Sequence, residues 1–185
     1  MLSVCKSYLG ALYSPWLKSD ELNIDYEFCD FNATTNISLG NHDNVRLTLY
    51  YGNDDAYLNM TDEGSLYKLR WSNNLVAINW IHTTRNRKQV RTTAYTSAFG
   101  NKFELNFGAD RFLLPSSITE MGCGVHASLN VADIGAEYQY DKIEPQHATT
   151  NSLNFESSNV AKQYTHMLSA YAQTGEQLCS FVRFA

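Results

Sequence analysis

The acidic run Asn53, Asp54 and Asp55, followed closely by Asp62 and Glu63, offers oxygen ligands of the kind calcium takes. It lacks the EF-hand spacing and its glycine, so a solvated loop is the expectation. Arg85, Arg87, Lys88 and Arg91 could meet phosphates, but they crowd one turn with no aromatic residues between them, which suits a solvated turn at a membrane edge. The histidines His42, His82, His126, His147 and His166 show no helical metal spacing. "GCGVHAS" lacks the Gly-Lys-Ser/Thr ending of a phosphate loop, and no Gly-x-Ser-x-Gly elbow occurs. Cys5, Cys29, Cys123 and Cys179 are far apart without a Cys-x-x-Cys pair, so isolated thiols are expected over a zinc site or a disulfide scaffold. Asn32, Asn36 and Asn59 begin Asn-x-Ser/Thr triplets of the sort an Asn/Thr-rich chain produces by chance. No enzyme is expected, and no catalytic residue, metal or cofactor is assigned.

The elements that would carry these residues are extended. In "LRWSNNLVAINWIH", Leu69 to His82, Val76, Ile78 and Trp80 recur every second residue, opposed by Leu75, Ala77 and Asn79. The same alternation places Val45, Leu47, Leu49 and Tyr51 opposite Arg46, Thr48 and Tyr50. It recurs with Phe103, Leu105 and Phe107, with Val125, Ala127, Leu129 and Val131, and with Ile134, Ala136, Tyr138 and Tyr140. Over 185 residues there are 12 tyrosines and only three prolines, a balance that favours strands. The net charge of −5 argues against a nucleic-acid partner. No run is long enough for a membrane helix, and Tyr8, Tyr13 and Trp16 interrupt what would be the apolar region of a secretory signal.

Short polar turns are expected near 41–44, 84–88, 130–133 and 174–177, beginning about 45 residues apart, a hairpin period. Between them the polar spans 53–65, 107–121 and 146–163 read as long loops. Tight turns at one end and long loops at the other are the plan of an outer-membrane barrel, whereas a soluble meander has short connections at both ends. Alternation alone leaves both readings open.

Several segments together resemble the barrel of the TonB-dependent outer-membrane receptors. "CDFNAT", Cys29 to Thr34, and "YYGND", Tyr50 to Asp54, are similar to that family's "YDFNAK"-like and "YYGRD"-like strand segments on either side of a polar turn. "WSNNLVAINWIH" is similar to its tryptophan, Gly-Asn, Arg-Trp-Asn-His pattern, and "GAEYQYDKIEPQ", Gly135 to Gln146, to its ascending strand with a proline end. "SAYAQTGEQLCSFVRFA" is a weakened form of its "YAQDEWKL…GLR" strand.

The resemblance implies an all-β fold: an antiparallel meander of roughly eight to ten strands forming a partial, open segment of an outer-membrane transmembrane β-barrel. Residues 1–185 would form one unit, irregular over 1–22 and stranded over 23–185. It further implies outer-membrane lipid as a partner and, in a complete receptor of about 22 strands, a plug domain and TonB. The cargo would be a scarce nutrient such as a metal chelate, a cobamide or a glycan. Family members run several times longer and no plug is recognisable here, so the expectation is a barrel fragment that does not transport alone. On the wet faces, Arg46, Thr48, Glu104, Asn106, Glu137 and Gln139 are expected to line the lumen. The alternative is a secreted or surface β-sandwich binding module that buries Trp71 and Trp80 in its own core.

Overall fold

The computed structural model describes residues 1–7, 12, 13, 16, 22–60, 64–86, 88–129, 132–153, 155–158 and 160–174. They form one antiparallel sheet of nine strands that does not close. The strands are β1 (Leu2–Lys6), β2 (Leu22–Leu39), β3 (Asp43–Met60), β4 (Ser65–Thr83), β5 (Gln89–Phe107), β6 (Asp110–Ser128), β7 (Asp133–Glu144), β8 (Thr149–Thr150) and β9 (Gln163–Gln173). Each pairs with its neighbour in chain order up to β7, which pairs with β9, while β8 extends the free edge of β6. β2 to β6 are each 18 or 19 residues long, so they run about 60 Å, well beyond a usual strand.

β1 corrects the expectation of an irregular segment over 1–22: Leu2 to Lys6 pair with Ala33 to Cys29. The turns expected at 41–44 and 84–88 fall between β2 and β3 and between β4 and β5, and the one at 130–133 falls between β6 and β7. Most of 174–177 lies outside the described residues. At the opposite end two of the three expected loops are largely strand. β3 continues to Met60 and β4 begins at Ser65, and only Gly108 and Ala109 separate β5 from β6. Gly64 and Gly108 take left-handed conformations there (φ 60° and 57°), which glycine adopts without the steric penalty of a side chain. Of the three expected loops, the one from β7 to β9, spanning 145–162 and holding β8, is long.

Pro115 lies inside β6 without breaking the sheet. β7 begins its pairing at Ser117 and β8 ends at Leu113, so Pro115 sits in the gap between them. Its carbonyl accepts from His147 N at 3.4 Å on that side, so its missing N–H also points away from β5 and costs no bond of that ladder.

Among the described residues no second layer packs on the sheet. Among the described residues no hydrophobic side chain is buried, so the sheet has no core of its own.

Candidate functional site

Because the β2 to β6 register is unbroken, directly paired residues share a face, and every position can be assigned to one of two faces. The front face carries Val76, Ile78 and Trp80; the back face carries Leu75, Ala77 and Asn79. Two halves of the strands are also distinct: the turn end, near 40–42, 84–88 and 129–132, and the loop end, near 61–64, 108–109 and 145–162.

On the front face, the turn end is an apolar band. One row joins Ile37, Val45, Trp80, Thr92, Val125 and Ala136. The next joins Thr35, Leu47, Ile78, Ala94, Cys123 and Tyr138, and a third joins Ala33, Leu49, Val76, Thr96, Met121 and Tyr140. No Asp, Glu, Lys or Arg stands in these rows. From the Asp43 and His82 row to the Tyr51 and Asn74 row the band spans about 27 Å of strand. Its residues project freely: Ile78 is 46% exposed and Met121 52%. At the lower margin the Trp80 indole Nε1 donates to Asp43 Oδ1 at 2.8 Å, and His82 Nδ1 lies 2.8 Å from the same oxygen. The ring is thereby left half in the apolar band with its polar edge satisfied.

Above the band the front face changes character. A row of small or polar residues, Cys29, Asn53, Ser72, Gly100 and Ser117, is followed by Glu27, Asp55, Arg70, Lys102 and Pro115, and then by Asp25, Tyr57, Lys68, Glu104 and Leu113. Arg70 is hydrogen-bonded to Asp55, and Arg111 Nε lies 3.0 Å from Glu104 Oε1. The Arg111 hydrogen bond holds the Glu104 carboxyl below its ordinary range. Lys68 lies 5.7 Å from the centre of the Tyr57 ring. A recess of about 630 Å³ opens among Asp25, Tyr57, Lys68, Arg70, Lys102 and Glu104.

The back face is the inverse. At the turn end it is polar, and three glycines there are roofed by tyrosines. Tyr50 covers Gly52 and donates to Asp30 Oδ1 at 3.1 Å. Tyr95 covers Gly122 and donates to Glu120 Oε1 at 2.6 Å. Tyr171 covers Gly135 and meets His126. A Cβ on any of the three would collide with the ring, so each glycine is there to let a tyrosine lie flat and reach a polar partner. At the loop end the back face is apolar and aromatic: Tyr26, Leu69 and Phe103 form one row, and Ile24, Leu58, Tyr67, Leu105 and Phe112 the next. Tyr26 lies 6.2 Å from Trp71, and Phe155 of the long connection packs edge-on against Phe112 at 5.2 Å.

These placements divide the sequence-derived candidates. Arg46, Thr48, Glu137 and Gln139 do share the polar back face, but Glu104 and Asn106 lie on the front face at the loop end, which corrects their assignment to one common lining. The cause is the inversion: Phe103, Leu105 and Phe107 are the apolar set of β5, but they face the opposite way from Val45, Leu47 and Leu49. Asp54 faces back, accepting from Tyr26 Oη at 2.6 Å, whereas Asn53 and Asp55 face front, so the acidic run does not converge. Asp62, Glu63 and Arg87 lie outside the described residues. Arg85 and Lys88 sit in the β4–β5 turn, and Arg91 is on the back face of β5. Cys5, Cys29 and Cys123 are free thiols, Cys123 within the apolar band. Asn36 accepts from Arg46 Nε at 2.8 Å. The tyrosine roofs had a partial signal in the sequence, since Tyr50 and Gly52 stand two apart; Tyr95 and Gly122 meet only through the register.

No family model, curated protein or solved structure matches the chain.

Proposed function

We propose that this sheet is a wall segment of an outer-membrane β-barrel, the barrel of a TonB-dependent receptor that imports a nutrient with a plug and TonB supplied in the complete receptor. The observation that carries the reading is the front band: uncharged through its middle rows, continuous across the sheet from β2 to β7, and solvent-facing where no hydrophobic side chain among the described residues is buried. A water-soluble chain of this length would use such a surface to build a core. The band is nine residues deep counting its outermost rows, which hold Asp43 at one margin and Lys142 at the other, and that depth matches what a tilted strand needs to cross the hydrocarbon layer. Trp80 at its margin suits the aromatic belt where lipid meets water. The polar back face at the same height is the lumen side. No helix among the described residues is long and apolar enough to cross a membrane, so strands would do the crossing.

The β-sandwich alternative needs a second sheet over the apolar surfaces, and the described residues form one sheet. Cys123 offers a direct test. With Cys5, Cys29 and Cys179 replaced by serine, protein folded in lipid vesicles is expected to resist a water-soluble maleimide at Cys123 until denatured. Rapid labelling of the folded, vesicle-bound protein would contradict the reading.

A further inference from the structure

We propose that His42 and His82 form a two-imidazole site for a divalent transition-metal ion at the turn end of the sheet. The inference does not depend on the membrane reading. His42 lies in the turn from β2 to β3 and His82 near the end of β4, and the β3–β4 register places His82 directly opposite Asp43, the chain neighbour of His42. Thr83 N donates to His42 O at 2.7 Å, which fixes the turn against β4. The two ring centres are 6.4 Å apart.

The hydrogen bonds decide what the rings can offer. His42 Nδ1 lies 2.9 Å from the Thr83 carbonyl oxygen, which can only accept, so Nδ1 carries the proton. His82 Nδ1 lies 2.8 Å from Asp43 Oδ1, an oxygen that also accepts from the Trp80 indole, and it too is the donor. In both neutral rings the lone pair is therefore on Nε2. An imidazole whose Nδ1–H is held by a carbonyl or carboxylate is the form in which histidine binds metal, because the outer bond sets tautomer and orientation. An ion with two bonds of about 2.0–2.1 Å to imidazole nitrogens holds the ring centres about 5–6 Å apart. A small rotation of His42, exposed in its turn, closes the difference. The His82 side chain is 38% exposed, so an ion and its waters have access. Among the described residues no group of three or more His, Cys, Asp or Glu side chains is placed to hold a metal ion, and Asp43 Oδ1 is already shared by two donors, so water would complete the coordination. Neutral imidazole favours copper, nickel or zinc over magnesium or calcium. Helical spacing in the sequence does not display the pair, since a turn and a cross-strand register assemble it.

The test uses the full chain in detergent micelles, with Trp16→Phe and Trp71→Phe so that Trp80 is the sole emitter, and with the four cysteines replaced by serine so that no thiol reacts with the probe. The probe is Cu²⁺ alone. The Trp80 ring centre is 6.1 Å from that of His82, close enough for a bound Cu²⁺ to quench it. Titration is expected to quench Trp80 in one saturable step, with pulsed electron paramagnetic resonance showing two imidazoles on the ion. His42→Gln and His82→Gln are each expected to weaken that step at least about tenfold, and His166→Gln on β9 to leave it unchanged. Quenching unaltered in His42→Gln, or a spectrum showing a single imidazole in the parent, would overturn the two-imidazole site. An equal loss in His166→Gln would overturn it as well.

Discussion

The turn end and the loop end of this sheet are made from the same strands with the same two-residue alternation, yet they present opposite polarity. Near the turns, β4 shows Val76, Ile78 and Trp80 to the front and Asn79 to the back; near the loops, the same strand shows Lys68 and Arg70 to the front and Tyr67, Leu69 and Trp71 to the back. The changeover falls near Ser72, Asn53 and Gly100, where the front face is neither greasy nor charged. A strand's wet and dry faces are therefore local properties. What each half faces is set by its own surroundings, and one long strand can pass from one set of surroundings to another.

If the front of the turn end meets lipid and the front of the loop end meets water, a charge should be costly in one place and tolerated in the other. Ile78→Arg, at mid-band, is expected to lower folding stability in bilayers by about 2–4 kcal/mol, and Ser72→Arg, above the band, by at most about 1 kcal/mol. Denaturant unfolding from vesicles measures both, and equal costs would erase the distinction between the halves.

The back-face tyrosine roofs sharpen the comparison in a second way. Gly122→Ala drives a methyl group into the Tyr95 ring and is expected to cost about 1–3 kcal/mol, a penalty that should shrink when Tyr95→Ala is present. Gly100→Ala, on the front face with only Ser72 Oγ nearby, should stay within about 0.5 kcal/mol. A Gly122→Ala penalty that survives Tyr95→Ala would show that the ring is not its cause.

The smallest effect belongs to the long connection. Glu144, above the band at the end of β7, accepts from Lys142 at 2.7 Å and from Lys162 at 2.9 Å. These hydrogen bonds hold its carboxyl at about 2 rather than the ordinary 4.5. A carboxyl depressed in this way holds its partners fully above about pH 4.5 and releases them as the pH falls toward 2. Relative to the intrinsic rate at each pH, the protection of amides around Lys162 is expected to fall over that window, and Glu144→Gln should leave that protection low and unchanged across the same range.

The alternation of Val45 to Tyr51, Val76 to Trp80 and Ile134 to Tyr140 made the strands of the turn end legible, together with their tight turns. The loop end was harder to read for a physical reason. In "NDDAYLNM" the apolar residues Ala56, Leu58 and Met60 fall on the face that is wet further down, so a single inside-outside frame breaks at Gly52 and the stretch looks like a loop. "FLLP", Phe112 to Pro115, shows three apolar residues in a row because Leu113 faces front between Phe112 and Leu114, and its proline survives only because β7 and β8 leave a gap there. The band and the charged collar are properties of paired rows, and no single strand displays them. Gly64 and Gly108 fell inside spans that read as long loops, and the shortness of their connections was not legible.

The central claim is that the front of the turn end faces lipid while the back of the loop end does not, and the two tryptophans of β4 report on those two surfaces. Trp16→Phe combined with Trp71→Phe leaves Trp80 alone as the emitter, and Trp16→Phe combined with Trp80→Phe leaves Trp71. In vesicles with brominated acyl chains, strong quenching of Trp80 and little quenching of Trp71 is the predicted result. Equal quenching of the two, or blue-shifted Trp80 emission untouched by bromine in a detergent-free monomer, would contradict it.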